Sequence, residues 1–227
     1  KWRSYADVEI VKGDAIGNHR RAREADYRYW IGRLGTTVDR DEWCMTPQTV
    51  NAVNLPLQNA VNLPAAILQT PFFDPTAPAA ANYGGIGVTL GHEISHSFDN
   101  QGSSFGPHGE LSDWWTKEDY AHFTAAGDAL AAQFDAYKPF PDLAVNGKLT
   151  EGENIADLDG INASHDAWIA TLHGKPAPVV DGLSCEQQFY LSNARTNRTK
   201  TREAAFRRQV LTNEHAPEQY RTLEVRN

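Results

Sequence analysis

Sulfur is nearly missing from this chain, whose 227 residues include two cysteines and one methionine. Cys44 and Cys185 could form one pair or stand as two buried free thiols, so they do not reveal a redox compartment. Also missing is any apolar run near the ~18–20 residues that span a bilayer. A basic block is lacking too. With 21 Lys and Arg against 29 Asp and Glu the formal charge is −8, which argues against nucleic acid and anionic membrane surfaces as partners. Arg20, Arg21 and Arg23 sit among Glu24 and Asp26 and read as a solvated helix face. The opening KWRSYADVEI has neither the basic segment nor the apolar core of a signal peptide. What remains is an ordinary globular composition, 41% hydrophobic and 22% charged, long enough for one large domain or two small ones. Asn162-Ala163-Ser164 and Asn197-Arg198-Thr199 fit a glycosylation pattern that commonly arises by accident.

Helices dominate the pattern. One is expected from about Asn18 to Leu34, closed by Gly35. Residues 51–64 contain the hexapeptide NAVNLP twice and read as two short extended segments joined by a turn at Pro56. TPFFDPTAPAAANYGG reads as a loop, followed by a helix from about Gly85 on which Ile86, Leu90 and Ile94 form an apolar stripe. Thr116 and Asp119 have capping-box spacing before a helix whose face carries Phe123, Gly127, Leu130 and Phe134. Asn146-Gly147 marks a turn. A helix from about Glu151 to Leu172 should stop at Gly174, and one or two more should fill 184–212. The expectation is an α+β protein, mainly helical with a small sheet and no dividing linker.

The chemistry concentrates in GVTLGHEISHSFDN, residues 87–100. On a helix His92 and His96 project from one face a turn apart, so both imidazoles can reach one tetrahedral ion. Glu93 is turned by ~100° and cannot easily ligate alongside them, but it can take a proton from zinc-bound water. Two surface histidines on an amphipathic helix are the bland alternative. Ile86, Leu90, Ile94 and Phe98 argue instead for a largely buried helix, in which unpartnered histidines are costly. For the third ligand, a histidine six residues after His96 is excluded because Gly102 stands there. A glutamate on a later helix is the other common solution, and TEGENIADLDG offers Glu153. Asp157, one turn on, could accept the free ring N–H of a ligating histidine. Otherwise Glu151, Glu153 and Asp157 are simply acids that favour a helix N-terminus.

NYGGIGVTLGHEISHSFDNQG, GENIAD and PAAILQTPFFD together resemble the catalytic part of the neprilysin-like zinc peptidases. The likeness runs from DVEIVKGDAIGN through VDRDEWCMTPQTVNA to NEHAPEQYR. It implies a zincin-like, thermolysin-like domain over 1–227 that holds one zinc per chain and hydrolyses peptide bonds in oligopeptides. By position it makes His92, His96 and Glu153 the zinc ligands, Glu93 the general base and Asp157 the carboxylate behind a ligand. Asn51 and Ala52 match the pair that binds substrate backbone as an added strand. His215 matches a histidine that helps to stabilise the oxyanion, and Arg221 an arginine that grips a substrate carbonyl. Ile67, Phe72, Val88, Thr196 and Asn197 match the wall of the pocket for the side chain just after the cut bond. The resemblance also favours an extracytoplasmic location (periplasmic, secreted or membrane-anchored), which the residues themselves leave unknown.

Three departures from the family pattern carry expectations. The family's large helical N-terminal domain, which roofs the site, and its final segment are absent from the 227 residues, so the chain looks like a fragment or a trimmed relative. Asn213 replaces the aspartate that precedes the oxyanion histidine by two positions. Ala194-Arg195-Thr196-Asn197 replaces the common Ala-Gln-Val-Trp, which should make the pocket wetter. Two other functions compete with the peptidase: a zinc-binding but catalytically silent relative serving as a peptide-binding module, and a helical domain without metal.

Overall fold

Asp14 opens the first helix, α1 (Ala15–Gly32), by accepting the Gly17 backbone N–H on its side chain. The helix therefore begins three residues before the expected Asn18. Gly35, with a positive φ of 76°, lies just beyond its end. The computed structural model describes residues 2–223. The chain divides into two compact units, Lys1–Thr46 and Pro47–Asn227. In the first, Arg3 stacks on the Tyr5 and Tyr29 rings and pairs with Asp26, while Arg33 and Tyr29 both reach Glu42. Cys44 and Cys185 are both free thiols.

All candidate site residues belong to the second unit. The two NAVNLP copies form the expected pair of strands, β1 (Val53–Leu55) and β2 (Ala60–Asn62), antiparallel with Asn54 opposite Val61. A 3-10 turn, Pro56–Gln58, joins them, and Asn59 adopts the left-handed conformation at its end. The segment read as a loop contains a short helix, α2 (Ala79–Asn82), which runs through a wider helical turn, Tyr83–Gly87, into α3 (Val88–Ser95). Backbone proximity explains the glycines of that turn. A Cβ on Gly84 would lie 2.0 Å from the Phe189 carbonyl oxygen, and one on Gly85 2.3 Å from that of Phe72.

Helix α4 (Lys117–Asp135) starts as expected, with the Thr116 side chain accepting the Asp119 N–H. Helix α5 (Glu151–Thr171) follows the Asn146-Gly147 turn, and Gly174 lies beyond its end with a positive φ of 76°. A second small ribbon, β3 (Val179–Val180) and β4 (Leu183–Ser184), leads to α6 (Cys185–Thr196), where Ser184 and Gln187 complete a capping box. Helices α7 (Glu203–Thr212) and α8 (Glu218–Leu223) complete the described fold. One core cluster joins α2, α3, α5 and α6 through Ala80, Val88, Ile161, Trp168 and Phe189. Another joins α4 to the segments around Val145 and Ala216 through Phe134.

Of the expected apolar stripe, Ile86 is half-buried in the turn before α3, and the part on α3 does not face inward. Leu90 is 41% exposed, Ile94 50% and Phe98 52%, whereas Val88, His92, Glu93 and Ser95 are buried. The cause is the crossing of α3 with α5. A Cβ on Gly91 would lie 2.7 Å from the Gly160 carbonyl oxygen, and one on Gly160 2.5 Å from the His92 nitrogen. Only glycine on both helices permits this approach, and it turns the histidine face of α3 towards α5.

Candidate metal centre

The close crossing brings the first turn of α5 up to the histidines. His92 Nε2 lies 3.3 Å and His96 Nε2 3.7 Å from Glu153 Oε2, and the two Nε2 atoms are 3.0 Å apart. A tetrahedral ion with bonds of about 2.0–2.1 Å has ligand–ligand separations of about 3.3–3.4 Å, so the three atoms already span one face of such a site. His92 sits on α3, and His96 is its C-cap with helical dihedrals, which preserves the one-turn spacing.

Both outer ring nitrogens are held by carboxylates. Asp157 Oδ1 lies 2.8 Å from His92 Nδ1, as the spacing on α5 implied. Asp99 Oδ2 lies 2.7 Å from His96 Nδ1, and its Oδ1 accepts the N–H groups of Gln101 and Gly102. Each carboxylate fixes the proton on Nδ1 and leaves the Nε2 lone pair pointing inward. Glu153 Oε2 is buried without an aligned hydrogen-bond donor. With both rings neutral, two lone pairs and a carboxylate oxygen converge, a set that fits a divalent cation of zinc's ligand preference. Asp99 escaped the sequence reading, although its place three residues after His96 put it on the same helical side.

The electrostatics agree. Burial by itself would lower the pKa of His92, but Asp157 and Glu153 outweigh it and raise the value to about 9. Burial opposes ionisation of Glu153 and Asp157, yet both carboxyls stay well below the usual range. His215 and His92 hold Glu153 there, and Arg221 and His92 hold Asp157. Glu93 is 7% exposed, and burial pushes its carboxyl up against the opposing charges of His92 and His96. Asn54 of β1 fastens the helix from the other side. Its Nδ2 donates to the Glu93 carbonyl oxygen at 2.7 Å and to Ser97 Oγ at 2.9 Å, a contact no sequence pattern signalled.

Arg221 on α8 lies against Asp157, with Nε 2.5 Å from Oδ2 and Nη2 2.7 Å from Oδ1. His215 Nε2 is 3.0 Å from Glu153 Oε2, and its ring is 46% exposed. Asn213 Oδ1 accepts the His215 backbone N–H at 2.8 Å and lies 3.2 Å from Nδ1. All of these groups except Asn213 line one cleft of about 770 Å³, together with Asn51, Ala52, Ile67, Phe72, Val88, Thr196 and Asn197. Every sequence-predicted site residue therefore borders the same cavity. The polar ends of Thr196 and Asn197 turn to their own helix: Thr196 Oγ1 and Asn197 Nδ2 both donate to the Asn193 carbonyl oxygen. Asn193 also borders the cleft and was missed from sequence.

Known proteins show the same arrangement of chain. Neprilysin-11 of Caenorhabditis elegans is 41% identical over 199 residues, 85% of this chain and 23% of that protein. Neutral endopeptidase of Lactobacillus helveticus is 39% identical over 191 residues, 84% of this chain and 28% of that protein. The zinc metalloprotease ZMP1 of Mycobacterium tuberculosis, solved in complex with an inhibitor, superposes with a TM-score of 0.94 at 44% identity, over 99% of this chain and 35% of that one. The chain thus spans about a quarter to a third of the length of these relatives. The family model described as peptidase family M13 matches residues 51–227. On that match and these identities, the chain belongs to peptidase family M13.

Proposed function

We propose that residues 1–227 form the catalytic domain of a zinc-dependent endopeptidase that hydrolyses peptide bonds in oligopeptides. One zinc per chain is held by His92, His96 and Glu153. The observation that carries this reading is the convergence of those three donor atoms, with a carboxylate behind each imidazole and Glu93 beside them on the same helix. Zinc, when bound, supplies Lewis-acid polarisation of a carbonyl and acidifies water.

Glu93 is the general base. Its buried carboxylate takes a proton from the water whose oxygen attacks the carbonyl carbon. It then delivers that proton to the amide nitrogen as the carbon–nitrogen bond breaks, and the bound amine leaves neutral. The upward push from burial brings the carboxyl closer to the pH at which it can both accept and give. Asp157 orients His92, and the Arg221 fork locks Asp157. Arg221 also borders the cleft, where it grips a substrate carbonyl. His215 stabilises the oxyanion. Asn213 Oδ1, 3.2 Å from Nδ1, orients the ring, and Nε2 faces the ligand set, 3.0 Å from Glu153 Oε2.

Substrate backbone adds alongside Asn51 and Ala52, which precede β1. Among the described residues that strand pairs with β2 alone, which leaves its other edge to offer. Ile67, Phe72, Val88, Thr196 and Asn197 wall the pocket for the side chain after the cut bond. A further N-terminal domain of the same protein covers the cleft, and the site works outside the cytoplasm; both follow the likeness to neprilysins. No helix among the described residues is long and apolar enough to cross a membrane.

Metal analysis of the purified protein, with cleavage of a mixed peptide library before and after chelation, tests the reading. One zinc per chain and chelator-sensitive cleavage are expected. Zinc with no cleavage of any peptide would replace the enzyme by a silent peptide-binding relative.

A further inference from the structure

The pocket wall holds a polar group that the reaction does not use. Gly85 lies between the Phe72 carbonyl oxygen and Ser192 Oγ, and Val88 shares a core cluster with Phe189, so α6 packs against the segments that carry Phe72 and Val88. Asn193 is 4% exposed, and it borders the cleft. Its carbonyl oxygen is occupied by Thr196 Oγ1 and Asn197 Nδ2, and its Oδ1 lies 3.4 Å from Asn197 Nδ2. Its Nδ2 has no hydrogen-bond partner among the described residues. Beside it, Thr196 Oγ1 has given its only proton to Asn193 and keeps lone pairs free to accept. Asn193 and Thr196, one helical turn apart on α6, thus bring an unfilled donor and an unfilled acceptor to the cleft that Ile67, Phe72 and Val88 also line. Val88 stands one helical turn before His92, so the recess opens next to the bond that is cut.

We propose that Asn193 and Thr196 make this recess selective for a carboxamide, so that the enzyme favours Gln or Asn as the residue following the cut. The inference rests on the peptidase reading above. A substrate carboxamide presents an acceptor oxygen to Asn193 Nδ2 and an N–H to Thr196 Oγ1. A Leu or Phe side chain gains apolar contact but strips water from the buried amide without replacing the hydrogen bond. A Glu side chain must shed its hydration where Ile67, Phe72, Val88, Asn193, Thr196 and Asn197 offer it no cation. Sites built to hydrogen-bond a substrate group discriminate against analogues that lack it.

The test uses the zinc-loaded full-length protein and matched peptides that differ only in that residue: Gln, Leu or Glu. Gln should be cut with the highest kcat/KM. Asn193→Leu should lower the Gln-to-Leu ratio by about tenfold and Thr196→Val by about threefold, with zinc content unchanged. A second readout is the affinity ratio for two zinc-chelating hydroxamate dipeptides bearing a Gln or a Leu side chain, which needs no turnover. Preference for Leu in wild type, with a ratio that neither variant changes, would overturn the recess. Discrimination between the hydroxamates without cleavage of any peptide would support the recess and overturn the peptidase reading. Neither cleavage nor discrimination would overturn both.

Discussion

Stripping the metal turns the centre into a proton trap, and the pH dependence of the metal-free protein's stability reports on it. His92 rises from 6.5 to about 9 in the folded state because Asp157 and Glu153 outweigh its burial. At about 1.4 kcal/mol per pH unit, that rise is worth about 3 kcal/mol of folding free energy. A raised pKa means that the folded form binds the proton more tightly. The contribution is therefore complete below pH 6.5 and is lost as pH rises through about 9. Glu153 and Asp157 have lowered pKa values and run the other way: their contribution is present above the ordinary carboxylate range and disappears as pH falls below it. The metal-free protein should thus be most stable from about pH 5 to 6.5. Zinc abolishes the alkaline loss, because a ligating His92 must be neutral and the ion competes with its proton. Calorimetric melting of chelator-treated and zinc-loaded protein across pH 5–9.5 measures this. For a chain of this size a loss of about 3 kcal/mol corresponds to about 6–12 °C in melting temperature. A metal-free melting temperature that stays flat, or climbs, from pH 6.5 to 9 refutes the reasoning.

Glu93→Gln should retain zinc and lose at least ~100-fold of turnover, read from metal content and peptide cleavage; activity within tenfold of wild type removes Glu93 from the base role. Glu153→Ala should sharply weaken zinc retention in chelator competition. Glu151→Ala, which removes the ion pair with Lys148, should leave zinc unchanged. His215→Ala should lower kcat more than it raises KM, the pattern of a contact made in the transition state; the reverse would make it a substrate clamp. Gly160→Ala should loosen zinc and lower the melting temperature together, since its Cβ would lie 2.5 Å from the His92 nitrogen.

The legible parts of the site were those fixed by spacing along a single helix. His92 and His96 are one turn apart on α3, and so are Glu153 and Asp157 on α5, so each pair's shared face followed from helical geometry. Thr116 and Asp119 revealed the start of α4 for the same local reason. The stripe of Ile86, Leu90 and Ile94 misled because a hydrophobic pattern gives a face but not what lies opposite it. The deciding residues were Gly91 and Gly160, whose missing side chains let two backbones meet, and no periodicity scores an absent side chain. Asn54 and Asn193 were illegible for a further reason: each acts through one contact set only by the fold.

Asn213 shows why a departure from a family pattern must be weighed atom by atom. A carboxylate at that position would accept the Nδ1–H of His215 and add a negative charge. The amide keeps the first property: its oxygen accepts the His215 backbone N–H at 2.8 Å and faces Nδ1 at 3.2 Å. Ring orientation therefore survives the replacement, and orientation is what this position supplies to the oxyanion histidine. Asn213→Asp, which keeps an acceptor oxygen, should leave kcat within about threefold of wild type. Asn213→Ala removes the acceptor from both the backbone N–H and the ring, and should lower kcat by about tenfold with zinc content unchanged. Steady-state kinetics on one peptide measure this, and an Asn213→Ala enzyme as fast as wild type would mean that the ring needs no holding.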